Sequence, residues 1–188
     1  MFEVSAEERR SEVVVVSGPG LDSSGDEVKR VADAWGGATL ISGAEATCQN
    51  VLGHLGPGGV VHLAAHGTHE PDNPLFSSLR LVDGPLFAYE LDGVDLAGTV
   101  VVLSACEVGL STADAGGEAL GLTSVLLRHG ARAVIAAVAP LRDDVAARVM
   151  PTLHVNLHGG IPPGQALAAA VAEESEPVPL ACFGPLVL

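Results

Sequence analysis

The chain has 188 residues, a hydrophobic fraction of 48% and a formal net charge of −14. This length permits one domain with a sizeable buried core, and the apolar content excludes a disordered chain. The negative charge would repel a phosphate backbone and the apolar runs are too short to cross a bilayer, so we expect no nucleic acid and no membrane as partners.

The N-terminal residues are polar, and they lack the apolar core of a signal peptide. We therefore expect a cytoplasmic protein with a polar extension over residues 1–12 and one domain over residues 13–188. The three cysteines, Cys48, Cys106 and Cys182, are an odd number, which argues against a disulfide framework.

Short apolar runs alternate with helix-like segments along the whole chain. The runs that predict strands are "EVVVVSG", "ATLISG", "VVHLAAHG", "GTVVVLSAC", "ARAVIAAVAP" and, at the end, "CFGPLVL". The segments that predict helices are "SSGDEVKRVADAWGG", "EATCQNVLGHLGPGG", "GGEALGLTSVLLRHG", "LRDDVAARVMPTLHVNLHGG" and "PPGQALAAAVAEE". The segment "SLRLVDGPLFAYELDG" predicts a small hairpin at the edge or over the mouth of the sheet. This alternation predicts a three-layer α/β/α sandwich around a mostly parallel sheet.

Three histidines lie in or just after the third predicted strand. His62 and His66 have the spacing of a zinc-binding helix, but residue 63 is leucine where that motif has glutamate. In a strand, residues four apart are separated by roughly 13 Å, so they cannot share a metal ion. We predict no metal site here. His62 is expected to be a hydrogen-bonded core residue, and His69 a solvated residue or part of a pocket rim.

His66 and Cys106 both stand where a predicted strand ends and a loop begins. Because the carboxyl ends of adjacent parallel strands meet at one edge, we expect the two side chains to come together there. An imidazole beside a thiol makes a nucleophile for acyl transfer, and the N–H groups of Gly67 and Cys106 would form an oxyanion hole. Free cysteine is also a common core residue, so spacing alone leaves both interpretations open. Cys48 and Cys182 are expected to be buried.

Several segments in order resemble the CHAT domains of the caspase-like, clan CD cysteine peptidases, a group related to separase. The resemblance rests on "VVHLAAHG", "NPLFSSLRLVDGPL", "DLAGTVVVLSACEVG", "GGEALGLTSVLLRHGARAVIAAVAPLRDDVA" and "GQALAAA". It implies a caspase-like sandwich over 13–188, His66 as the catalytic histidine and Cys106 as the nucleophile. Such domains are commonly attached to TPR or other helical-repeat regions. The chain departs from the family at Ala139, at Val108 and over residues 182–185, which changes packing and pocket walls. The chain has no cofactor motif, so we expect no cofactor.

The chain offers three acidic candidates for the substrate pocket. Related peptidases that cleave after basic residues place an acidic side chain in the S1 pocket, so Asp22, Asp26 and Glu107 are candidates. The alternative for Asp22 and Asp26 is helix capping, and for Glu107 a solvated side chain. The acidic surplus favours a basic substrate.

The sequence thus predicts a cysteine endopeptidase that acts on a protein or peptide and favours a basic P1 residue. We expect it to stay latent until a partner or an adjoining region activates it. The alternative is a non-catalytic interaction module of the same fold. A small-molecule hydrolase is disfavoured because no cofactor motif is present.

Overall fold

The computed structural model describes residues 12–21, 24–68, 70, 72–104 and 117–184. The strands in this part of the chain are β1 (Glu12–Ser17), β2 (Thr39–Ile41), β3 (Gly59–Ala64), β4 (Gly67–Thr68), β5 (Ser78–Leu81), β6 (Gly84–Phe87), β7 (Val100–Ser104), β8 (Ala133–Ala137) and β9 (Leu180–Phe183). The α-helices are α1 (Ser24–Trp35), α2 (Cys48–His54), α3 (Gly117–Arg128), α4 (Asp143–His158) and α5 (Pro163–Val171).

Six strands form the central sheet in the order β2-β1-β3-β7-β8-β9. All neighbours are parallel except β9, which runs antiparallel to β8. The Val-rich runs are strands because a parallel strand covered on both faces can place apolar side chains at every position. In β1, Val14 and Val16 face one layer, whereas Val13 and Val15 face the other.

Helices cover both faces of this sheet. Apolar side chains of α1, α4 and α5 pack on one face, and those of α2, α3 and the small sheet pack on the other. The predicted three-layer α/β/α sandwich with a mostly parallel sheet is therefore confirmed.

The predicted hairpin is present as β5 and β6, joined by a two-residue turn at Val82 and Asp83. It belongs to a separate antiparallel sheet in the order β4-β5-β6. The strand β4 was not predicted, because two residues are too few to show a periodic pattern. It matters for the site, since β4 begins at the residue after His66.

A proline interrupts the hydrogen bonding of α4, and a side chain from α1 compensates. Pro151 has no N–H, so it cannot donate to the carbonyl of Ala147 four residues earlier. Arg30 of α1 donates to that carbonyl through Nη1 at 2.9 Å. The helix continues past the proline to His158, and the carbonyl that Pro151 cannot pair has a donor from the neighbouring helix.

Two expectations about cysteines were wrong. Cys182 is exposed and Cys48 is only partly buried. Cys182 lies on β9, the edge strand, whose four residues are all less buried than those of the inner strands β7 and β8. The terminal strand also begins earlier than predicted, at Leu180.

Most of the predicted polar extension, residues 1–11, lies outside the described residues. In the part of the chain that the structure describes, no helix is both long enough and apolar enough to span a bilayer.

Candidate functional site

The candidate site lies at the carboxyl edge of the central sheet, where the neighbouring strands β1, β3 and β7 end. The last register pair of β3 and β7 joins Ala64 to Ser104. His66 and Cys106 each follow their member of this pair by two residues. Cys106 itself lies outside the described residues, so its contact with His66 stays a prediction.

His66 is held by two backbone contacts from other elements. Its ring atom Nε2 lies 3.2 Å from the carbonyl oxygen of Gly20, in the loop after β1. Its own carbonyl oxygen accepts a hydrogen bond of 2.8 Å from the N–H of Arg80 on β5. Because a carbonyl oxygen can only accept, Nε2 must carry the proton, and the neutral ring then has its basic lone pair on Nδ1.

The loop that supplies this carbonyl can approach His66 because it is rich in glycine. The N–H of Gly18 donates to the carbonyl of Ala64 at 2.7 Å. A Cβ atom at position 18 would lie only 2.7 Å from the Arg80 carbonyl oxygen. Gly20 has φ +79°, in the left-handed region that favours glycine. Sequence reasoning missed the Gly20 carbonyl, although "SGPG" directly after a buried strand was the available signal.

Gly67, proposed for the oxyanion hole, opens the short strand β4. Gly67 pairs with Leu79, and the bond from the Arg80 N–H to the His66 carbonyl flanks that pair. In an antiparallel ladder, a pair flanked in this way does not exchange hydrogen bonds with itself, so its N–H groups point away from the partner strand. The N–H of Gly67 is therefore directed away from β5, which an oxyanion donor requires.

The S1 candidates are described only in part. Asp26 lies in the first turn of α1 and is exposed to solvent. That position also suits an acidic residue that complements the helix dipole. Asp22 and Glu107 lie outside the described residues, as does His69.

A second group of titratable side chains lies beneath the site, on the face of the sheet covered by α1 and α4. His62 on β3 has no exposed surface, as predicted for a core histidine. His154 of α4 lies with Nε2 3.1 Å from His62 Nδ1, and Trp35 of α1 donates through Nε1 to His154 Nδ1 at 3.0 Å. Glu27, only 4% exposed, completes the row.

The direction of these contacts follows from the tryptophan, which can only donate. His154 therefore accepts this hydrogen bond at Nδ1 and carries its proton on Nε2. The Nε2–H group donates a hydrogen bond to His62 Nδ1. His62 then carries its own proton on Nε2, which lies 3.2 Å from Oε1 of Glu27. These two atoms miss hydrogen-bond geometry, so the contact is mainly electrostatic. No local pattern predicted this row, because its members lie on three elements far apart in the chain.

Burial determines the charge of His154. Desolvation, and then the proximity of His62, hold the pKa of His154 well below its usual range. His154 is therefore neutral at physiological pH. Among the described residues, no group of three or more His, Cys, Asp and Glu side chains is arranged to hold a metal ion.

A family model for the CHAT domain matches residues 4–177. A search of curated proteins finds no match.

Proposed function

Because the chain belongs to the CHAT domain family, a caspase-like group related to cysteine peptidases, we propose that it is a cysteine endopeptidase with a dyad of His66 and Cys106. The observation that carries the proposal is the contact of His66 Nε2 with the Gly20 carbonyl. This contact orients the ring at the carboxyl edge of the sheet and makes Nδ1 the basic nitrogen.

In the proposed reaction, Nδ1 of His66 takes the proton of the Cys106 thiol. The thiolate attacks the scissile carbonyl carbon, and the N–H groups of Gly67 and Cys106 stabilise the negative oxygen. The protonated imidazole gives its proton to the leaving amine as the peptide bond breaks, which leaves a thioester on Cys106. Water, deprotonated by the same imidazole, then hydrolyses the thioester.

We also propose a basic P1 residue, with Asp22, Asp26 and Glu107 as candidates for its recognition, and activation by a partner or an adjoining region. The acidic balance of the chain supports the basic preference, because a cationic side chain gains from a negative pocket.

The test is covalent labelling with peptide acyloxymethyl ketones that carry basic, acidic or apolar P1 residues, read out by intact mass. The native chain is compared with Cys106→Ala and His66→Ala. Background labelling of Cys48 will be low, since burial and the Asp83 carboxylate raise the pKa of its thiol to about 11. Any label on the exposed Cys182 is read from the Cys106→Ala chain.

We expect one label for each chain, lost in both variants and fastest with the basic reagent. Labelling that survives Cys106→Ala would refute the assignment of the nucleophile. If the Cys106 thiol reacts with iodoacetamide but with none of the peptide reagents, even after addition of an activating partner, the non-catalytic interaction module is favoured instead.

A further inference from the structure

Half of the aromatic residues of this chain lie together on one surface. The sequence has four Phe, one Trp and one Tyr, and three of these six are Phe76, Phe87 and Tyr89. The Phe76 and Tyr89 rings meet edge to face with centroids 5.9 Å apart, and Tyr89 stacks on Phe87 with centroids 5.3 Å apart. Phe76 is 52% exposed and Tyr89 is 46% exposed. With the neighbouring exposed Leu75, we call them the aromatic patch.

The aromatic patch is held in place by its backbone. Asn73 begins the short 3-10 turn Pro74–Phe76, and its side chain accepts the N–H of Leu75 at 3.1 Å. Glu90 accepts the N–H of Phe87 at 2.8 Å through Oε2, which anchors the turn Ala88–Leu91. A rigid set of rings loses little conformational entropy on binding, so it is suited to anchor a partner.

Acidic residues lie next to these rings along the chain. Glu90 lies in the turn that carries Tyr89 and Asp92 follows that turn, and the N–H of Asp92 donates to the Tyr89 carbonyl at 3.1 Å. Asp72 directly precedes the turn that carries Phe76, and the N–H of Glu70 donates to Ser77 Oγ at 3.2 Å. We call these four residues the acidic rim. Six acids and one arginine in residues 66–98 give this segment a net charge of −5.

We propose that the aromatic patch and its acidic rim form a docking surface for a basic peptide segment that carries large apolar side chains. Exposed aromatic clusters are the usual anchors of protein interfaces. The faces of aromatic rings attract Lys and Arg, and carboxylates at the rim add electrostatic attraction and orientation. The two halves of the surface thus select for the same kind of partner.

Other occupants fit the surface less well. A second copy of this chain, joined across a two-fold axis, would bring a segment of net charge −5 against its own equivalent. Nucleic acids and anionic lipid surfaces would be repelled by the same carboxylates. A basic protein segment satisfies the rings and the carboxylates together.

The experiment measures binding of a short fluorescein-labelled peptide in which Lys and Arg flank two Phe residues, by fluorescence anisotropy at low and high salt. The Cys106→Ala chain is used, so that cleavage cannot consume the probe and binding is read independently of any peptidase activity. We expect saturable binding that weakens with salt, and that falls about tenfold or more in the double variant Phe76→Ser, Tyr89→Ser.

Matched controls lie on the opposite layer. Val155, 57% exposed on α4, is replaced by Ser as the apolar control. The rim variant combines Glu90→Gln with Asp92→Asn. Its control is Glu173→Gln, at an exposed position just after α5. We expect the controls to bind like the parent and the rim variant to lose most of the salt dependence.

Three results would overturn the proposal. The first is the absence of binding at low salt, and the second is binding that the Phe76 and Tyr89 substitutions leave unchanged. The third is a concentration-dependent dimer in analytical ultracentrifugation that the same substitutions abolish, because the patch would then be an interface between two copies. Circular dichroism melts of each variant ensure that lost binding does not reflect lost folding.

Discussion

The buried row of Glu27, His62, His154 and Trp35 predicts a specific loss of stability in acid. His154 has a depressed pKa in the folded chain, whereas the unfolded chain offers an ordinary histidine with a pKa near 6.5. Below that pH the unfolded state binds a proton that the folded state excludes. The contribution of His154 to the stability of the fold is therefore fully present above about pH 6.5, and it is lost as the pH falls below that value.

The size of the effect follows from this difference in proton binding. A histidine that stays neutral in the fold costs about 1.4 kcal/mol of stability at about pH 5.5, and almost nothing at about pH 7.5. The informative variant is His154→Gln, because a glutamine amide can accept from Trp35 and donate to His62 without titrating. When the pH is lowered from about 7.5 to about 5.5, the free energy of unfolding of this variant should fall by about 1.4 kcal/mol less than that of the native chain.

The assay is urea unfolding followed by the fluorescence of Trp35, the single tryptophan, at the two pH values. The control is His129→Gln, a histidine outside the buried row. Taking the difference between proteins removes the effect of acid on the large negative net charge, which all three share. If acid lowers the free energy of unfolding equally in the native chain and in His154→Gln, the reasoning is refuted.

Three further predictions concern single contacts. Gly20→Ala should lower the free energy of unfolding by about 1 kcal/mol, because φ at this position is positive, and it should also slow active-site labelling. Gly36→Ala, at φ +65° with open space around it, should show the loss of stability without the slower labelling. Equal labelling rates in the two variants would contradict the role of the Gly20 carbonyl. A double-mutant cycle of Arg30→Met with Pro151→Ala, measured by thermal unfolding, should show a coupling energy of about 0.5–1 kcal/mol. The reason is that an alanine at position 151 has an N–H that can donate to the Ala147 carbonyl, so Arg30 is no longer needed there. Additive effects of the two substitutions on stability would contradict this. Because its pKa is raised to about 11 from 9.0, Cys48 should react with iodoacetamide at pH 8 about a hundredfold more slowly than an ordinary thiol, as followed by peptide mass mapping; a rate like that of glutathione would contradict it.

Local patterns in the sequence were sufficient to predict the layers of the fold. Each strand of the central sheet is a short apolar run, and each helix lies between such runs, so strand and helix can be recognised from neighbouring residues. The right-handed crossover of parallel strands then leaves few ways to arrange them. The same logic placed His66 at the edge of the sheet and His62 in the core.

Contacts between distant residues could not be read in this way. His62 meets His154 across 92 positions, and Arg30 meets the Ala147 carbonyl across 117. The tautomer of His66 depends on a backbone carbonyl 46 positions earlier. Grouping Phe76 with Phe87 and Tyr89 required the pairing of two turns. Sequence determined which segments become strands and helices, because that choice is local. The tertiary structure alone decided which buried polar atoms meet and which rings share a surface, because those contacts depend on how separate elements pack.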